Sequence, residues 1–100
     1  MRAVAAMTQL VRNNRAEILR IAAKYGARNV RVFGSTARDA ATDKSDIDIL
    51  VELDANRSLL DQVGLQQELE ELLGCKVDVV VEGGLSPYLE ERILSEAVPL

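Results

Sequence analysis

The stretch from Asp46 to Leu53 limits the possible folds more than any other part of the chain. Ile47, Ile49, Val51 and Leu53 fall on one side of an extended backbone, and Asp46, Asp48, Leu50 and Glu52 on the other. A period of two over eight residues marks a strand with a buried face. It also fixes the register, because a slip of one residue would drive carboxylates into the core. Asp46 and Asp48 then project from one face about 6.5 Å apart. Carboxylates so placed can share one magnesium ion, or bracket two metals about 3.5–4 Å apart. A surface strand can equally show Asp-x-Asp to water, so the pair alone does not decide its own meaning.

A second acidic strand adds weight. Lys76 to Val81 reads as a strand with Val77, Val79 and Val81 facing one way and Asp78 the other. An aspartate within a valine-rich strand is costly unless it is solvated, paired or metal-bound. If this strand lies beside the first, Asp78 joins Asp46 and Asp48. Three carboxylates around one point repel strongly, and a divalent cation with a preference for oxygen ligands relieves that repulsion.

Ahead of these strands, Val30, Val32 and Phe33 form a short strand that ends at Gly34-Ser35. Gly34 lets the backbone approach a phosphate closely, and the Ser35 hydroxyl and nearby N–H groups can donate to its oxygens. A helical turn over residues 36–41 would aim its positive end the same way. Arg38 can return to that side and neutralise phosphate charge, or pair on the surface with Asp39 or Asp43.

Composition narrows the alternatives. The chain has 100 residues, enough for one domain, and no histidine, which removes Ser-His-Asp and Cys-His catalysis and the commonest zinc ligands. Its one cysteine, Cys75, rules out an internal disulfide and fits a reducing, cytoplasmic setting as a half-buried structural thiol. No apolar run approaches the roughly 20 residues of a membrane span, and Met1 to Met7 reads as a helix start and not as a signal sequence. Charge is uneven: +7 through Arg38 and −11 after it, for a net −4. The basic part can meet phosphates or an acidic partner, or form solvated helix faces. An acidic total and few aromatics (Phe33, Tyr25, Tyr88) argue against direct nucleic-acid binding by base stacking.

The remaining segments read as helices. Asn13 or Asn14 can cap a helix through about Lys24, with Ile18, Ile21, Ala22 and Tyr25 inward and Gly26 as its stop. Ser58 and Asp61 resemble a capping box opening a helix with Leu59, Leu60, Val63, Leu69, Leu72 and Leu73 inward, ending at Gly74. Ser86-Pro87 starts a last helix through Ala97. The order α-α-β-β-α-β-α predicts an α+β (α/β) fold, a small mixed sheet with helices packed mainly on one face.

Gly34, Ser35, Ala37, Arg38, Ser45, Asp46, Asp48 and Asp78 together resemble the pattern of the minimal nucleotidyltransferase family, within the DNA polymerase beta-like superfamily. The residue after Arg38, often glycine in that family, is Asp39 here. The resemblance implies a single minimal nucleotidyltransferase domain over residues 1–100. It implies magnesium at Asp46, Asp48 and Asp78, with Asp78 able to help activate the acceptor oxygen. It gives the triphosphate of ATP to Gly34 and Ser35, and implies in-line attack on the α-phosphate with pyrophosphate leaving. A chain this short spends its residues on the sheet and one site, so the acceptor is expected on a second protein. The resemblance further implies an antitoxin that transfers AMP to a tyrosine of a cognate HEPN-domain ribonuclease toxin. Neutralisation of that partner by binding alone, and transfer to a small molecule or an RNA end, stand as alternatives.

Overall fold

The structure, a computed structural model, describes residues 9–34, 47–84 and 86–100. Ser35, Arg38, Asp39 and Asp46, and the turn expected over 36–41, lie outside the described residues. Residues 9–13 are helical and lead through Asn14 into α1 (Arg15–Lys24). Asn14 occupies the cap position without capping: its side-chain amide donates backward to the Leu10 carbonyl at 2.9 Å. Helix α1 buries Ile18, Ile21 and Ala22, as its spacing predicts, and the chain turns at Gly26 with φ of +76°.

Among the described residues four strands form one sheet in the order β3-β2-β1-β4, comprising β1 (Ala27–Phe33), β2 (Ile47–Leu53), β3 (Val77–Val81) and β4 (Val98–Pro99). Strand β1 runs antiparallel to both β2 and β4, while β2 and β3 are parallel, joined through α2 (Leu59–Leu73). A parallel pair needs such a crossover. Strand β1 starts three residues before the apolar run Val30–Phe33, because a bulge lies between Arg28 and Arg31. Asn29 takes the left-handed conformation there, φ +53°, and its amide donates to Glu52 Oε2 at 2.6 Å. Asparagine tolerates that backbone better than most side chains. Strand β4 has no counterpart in the sequence reading. Two residues cannot show an alternation, and Pro99 is suited to an edge position.

The sheet has two unlike faces. Val30, Val32, Ile47, Ile49, Val51, Val77 and Val79 pack with α1 and α2 in the main core, and Cys75 is half-buried against it. On the other face Phe33 and Leu50 pack against Ile93 of α3 (Pro87–Glu96). Helices therefore cover mainly one face, with a single helix across part of the second. Two of the three expected caps form: Ser58 and Asp61 close a capping box, with Asp61 Oδ2 accepting from the Ser58 N–H at 3.0 Å, and Ser86 Oγ accepts from the Leu89 N–H at 3.4 Å. Gly74 ends α2 in the left-handed conformation.

The inward face of α2 differs from the one expected. Leu59 is 70% exposed, Leu60 82% and Val63 42%, while Leu65, Leu69 and Leu73 are buried with Leu72 packed beside them. Helical geometry explains the difference: the arc centred on Leu65 and Leu69 cannot also hold Leu59, Leu60 and Val63. The flank next to that arc carries polar side chains with a task. Gln62 Nε2 donates to the Val79 carbonyl at 2.8 Å, Gln66 Oε1 accepts from the Val79 N–H at 3.4 Å, and Glu70 Oε2 accepts from the Val77 N–H at 3.1 Å. Spaced four apart on α2, the three occupy the hydrogen-bonding groups that an edge strand otherwise offers to another chain.

Helices α1 and α2 are pinned together by Tyr25, whose hydroxyl donates to Glu68, and by Lys24, whose ammonium donates to Glu68 Oε2 at 3.0 Å. The Tyr25 ring lies where a side chain at Gly64 would project. The Tyr25 hydroxyl, and then Lys24, hold the Glu68 carboxyl below the usual carboxylate range. A depressed folded-state pKa means that this contribution is present above the ordinary glutamate range and is lost as acid protonates Glu68. Melting in acid should therefore be less pH-sensitive in Glu68→Gln than in the unaltered chain; equal sensitivity would count against the lock.

Two alanine substitutions separate the expected core from the observed one. Leu65→Ala should cost about 2–5 kcal/mol. Leu60→Ala should cost less than about 0.5 kcal/mol. Urea unfolding of both variants checks this; a large loss at Leu60 would contradict the orientation of α2.

Candidate active site

The register of the parallel pair builds the site. Ile47 pairs with Val77, Asp48 with Asp78, and Ile49 with Val79. The apolar partners on either side face the main core, so Asp48 and Asp78 must face the other side together. Laterally paired residues on neighbouring strands lie about 4.8 Å apart. The adjacency that the sequence made conditional is thus present, with Asp48 half-buried and Asp78 exposed. Phe33 is the β1 partner of Asp48 and completes a row Phe33–Asp48–Asp78 across three strands.

Gly34 follows Phe33 at φ +67°, a conformation that favours glycine. It also lies against the Asp48 carboxylate, whose Oδ2 occupies the space a Cβ at residue 34 would need. The glycine is therefore tied to the carboxylate as well as to its own backbone angle. Among the described residues no group of three His, Cys, Asp or Glu side chains is arranged to hold a metal ion. Asp46, the third carboxylate expected on this face, lies outside the described residues with Ser35 and Arg38. The donors that are described suit magnesium: carboxylate oxygens on one solvent-facing side of a sheet, one of them seated against a glycine.

Beyond this row the same face becomes apolar and then charged. Arg31, Leu50 and Val80 follow, and the Arg31 guanidinium, only 9% exposed, reaches Glu82 at the end of β3 and donates to the Asn29 carbonyl at 3.0 Å. Among the basic residues of the first part of the chain, Arg31 had no special standing in the sequence. Its place beside Phe33 in the alternation is the signal that assigns it to the Asp48 face. Three of those basic residues are turned onto the chain's own acidic part: Lys24 meets Glu68, Arg28 meets Asp54 and lies 3.8 Å from Glu52, and Arg31 meets Glu82.

A small mixed sheet that shows adjacent aspartates beside a glycine turn defines the nucleotidyltransferase class, and the comparisons agree. Residues 15–100 match the family model described as a nucleotidyltransferase domain, and the chain belongs to that family of enzymes. Within it, the chain is 49% identical over 82 residues to MJ0435 of Methanocaldococcus jannaschii, named as a candidate protein adenylyltransferase, covering 82% of this chain and 88% of that one. It is 40% identical over 75 residues to the protein adenylyltransferase MntA of Thermococcus cleftensis, covering 75% of this chain and 76% of the relative. A solved structure of a candidate minimal nucleotidyltransferase superposes with a TM-score of 0.85 at 47% identity, covering 93% of this chain and 95% of that chain. A chain from a mutant of the toxin–antitoxin pair MntA–HpeT superposes with a TM-score of 0.72 at 25% identity, covering 87% of this chain and 71% of that chain.

Two glycines with nearly the same backbone angle test the seat of Asp48. Gly34 and Gly74 have φ of +67° and +68°, but only Gly34 has a carboxylate where a side chain would go, while Gly74 faces open space. Each should lose roughly 1–2 kcal/mol of stability on change to alanine. On the expectation that Asp48 ligates magnesium, only Gly34→Ala should also lower magnesium affinity, by about tenfold or more, as disturbance beside a metal ligand does. Calorimetric titration of Mg2+ with both variants is the check, and equal affinities would refute the steric link.

Proposed function

We propose that the chain is a magnesium-dependent protein adenylyltransferase that transfers AMP from ATP to a hydroxyl of a partner protein. The row of Asp48 and Asp78 beside Gly34 carries this reading. The names of the relatives support adenylylation as the transfer, and the MntA–HpeT structure supports a toxin as partner and an antitoxin role. We assign that partner as a HEPN-domain ribonuclease with a tyrosine acceptor.

In this reading Asp46, Asp48 and Asp78 hold magnesium, and Gly34, Ser35 and Arg38 hold the triphosphate. Magnesium bound there supplies charge neutralisation of the triphosphate and polarises the α-phosphate. Gly34, lacking a side chain, leaves the space in which the Asp48 carboxylate is seated. Exposed Asp78 is placed to accept the acceptor hydroxyl's proton as its oxygen forms a bond to the α-phosphorus. The bond to the bridging oxygen breaks and pyrophosphate departs. Little covalent work falls to the protein, so positioning and electrostatics supply most of the rate.

Incubation with ATP, Mg2+ and the protein encoded by the neighbouring gene should add units of about 329 Da to that protein, one per AMP. Asp48→Asn should lower the transfer rate by roughly 10²–10³-fold, the loss that follows removal of one preorganised electrostatic group. Mass spectrometry reads both. A partner of unchanged mass in the presence of a magnesium-binding chain would refute the reading, and an Asp48→Asn variant that still neutralises the partner would favour binding alone.

A further inference from the structure

We infer that Gln62, Gln66 and Glu70 of α2 are positioning residues for Asp78, holding the backbone on either side of it so that its distance from Asp48 is fixed. The inference rests on the assignment of Asp78 to magnesium in the reading above, and it adds residues that touch no substrate themselves. Successive residues of β3 turn their peptide groups to opposite edges. Just before its start the Lys76 carbonyl accepts from the Ile47 N–H of β2 at 3.0 Å, and just past its end the Glu82 N–H donates to the Val51 carbonyl at 2.8 Å. Counted in twos between them, Asp78 turns its peptide groups toward β2, and Val77 and Val79 turn theirs to the outer edge. The polar flank of α2 meets the outer edge at those two residues. The Val77 N–H donates to Glu70 Oε2 at 3.1 Å, the Val79 N–H donates to Gln66 Oε1 at 3.4 Å, and the Val79 carbonyl accepts from Gln62 Nε2 at 2.8 Å.

Asp78 needs this support more than Asp48 does. Asp48 lies on a strand with β1 on one side and β3 on the other, and its carboxylate is seated against Gly34. Asp78 lies on a five-residue strand at the edge of the sheet among the described residues, and it is exposed. A strand bonded along one edge alone opens more readily than one bonded along both. Burial of Val77 and Val79 decides which face Asp78 shows, but it does not fix how far β3 stands from β2. The bonds from α2 act along that remaining direction. At the peptide that joins Asp78 to Val79 the two restraints meet, since its carbonyl faces β2 and its N–H faces Gln66. Ligands of a metal have to be held to within about 0.5 Å, and a strand free to splay at its outer edge would not hold Asp78 so closely. Glu68 of the same helix serves a different contact, with Tyr25 and Lys24 at the end of α1. It is therefore the natural comparison, a carboxylate that fastens α2 without reaching β3.

The test uses the full chain, with Mg2+ alone as the calorimetric probe and AMP transfer to the protein encoded by the neighbouring gene read by mass spectrometry. Melting of each variant confirms that affinities are compared between folded chains. Glu70→Ala and Gln62→Ala should each bind Mg2+ about tenfold more weakly than the unaltered chain. Glu70→Gln keeps an oxygen that can accept from the Val77 N–H, and should stay within about twofold. Glu68→Ala removes a carboxylate from the same helix and should also stay within about twofold. Unchanged affinity in either folded alanine variant of Gln62 or Glu70 overturns the inference. So does an equal loss in Glu70→Gln or Glu68→Ala, which would make charge or helix packing the cause. Unfolding of both Glu70→Ala and Gln62→Ala overturns it as well, because the contacts would then serve stability. Where the unaltered chain binds Mg2+ and modifies the partner and the alanine variants match it in both, the clamp falls and the reaction stands. Where Mg2+ binding weakens as expected and the partner is never modified, the clamp stands and the protein-transfer reading falls. An unaltered chain that binds no Mg2+ removes the metal assignment and the clamp with it.

Discussion

Two carboxylates on adjacent strands repel each other, and the sheet keeps them together because its apolar residues leave no other register. Ile47 with Val77, Ile49 with Val79 and Val51 with Val81 fill the core side of the parallel pair. Sliding β3 by one residue would bury Asp78 and expose three valines, a larger penalty than like-charge repulsion on a solvated face. The core thus imposes the acidic row, and the row sets what the opposite face can do. A cation with a preference for oxygen ligands would relieve this built-in repulsion.

That arrangement requires the parallel pair to sit at a defended edge. Among the described residues strand β3 has β2 on one side and no strand on the other. Helix α2 serves both needs: its leucine arc covers the core side, and Gln62, Gln66 and Glu70 meet the outer backbone groups of β3. The price is that the first turn of α2 leaves Leu59 and Leu60 in water. On the second face Arg31 and Glu82 close the end of the sheet away from the aspartates, and Leu50 with Ile93 fills the space between. Among the described residues the face therefore grades from acidic to apolar to ion-paired.

Much of this was readable in advance, wherever a physical period or a local cap carried the information. The alternation of β2 and β3 gave the face of Asp48 and Asp78, and Ser58, Asp61, Gly74 and Ser86 marked helix ends that the structure reproduces. What could not be read depended on partners distant in sequence. The start of β1 was hidden by a bulge that only Glu52 across the sheet explains, and β4 is too short for any period. The rotation of α2 was missed because apolar residues were counted inward, when polar Gln62 and Gln66 face the protein and Leu60 does not. Gly34 was read as room for a phosphate; the structure adds that this room already holds the Asp48 carboxylate.

The folding of the charge follows the same logic. A chain with eight basic residues and one acidic through Arg38 suggests a basic surface waiting for phosphates. The fold instead engages Arg20 with Glu17, Lys24 with Glu68, Arg28 with Asp54 and Arg31 with Glu82, while Arg15 donates to the Leu100 carbonyl. These cations sit on α1, on its far end, or at the end of the sheet away from Asp48. In the proposed reaction the neutralising charge is assigned to Arg38 and to metal held by the aspartates. A site of that proposed kind would be acidic at rest and would take its nucleotide together with the cation, coupling nucleotide affinity to magnesium more tightly than an arginine-lined site would.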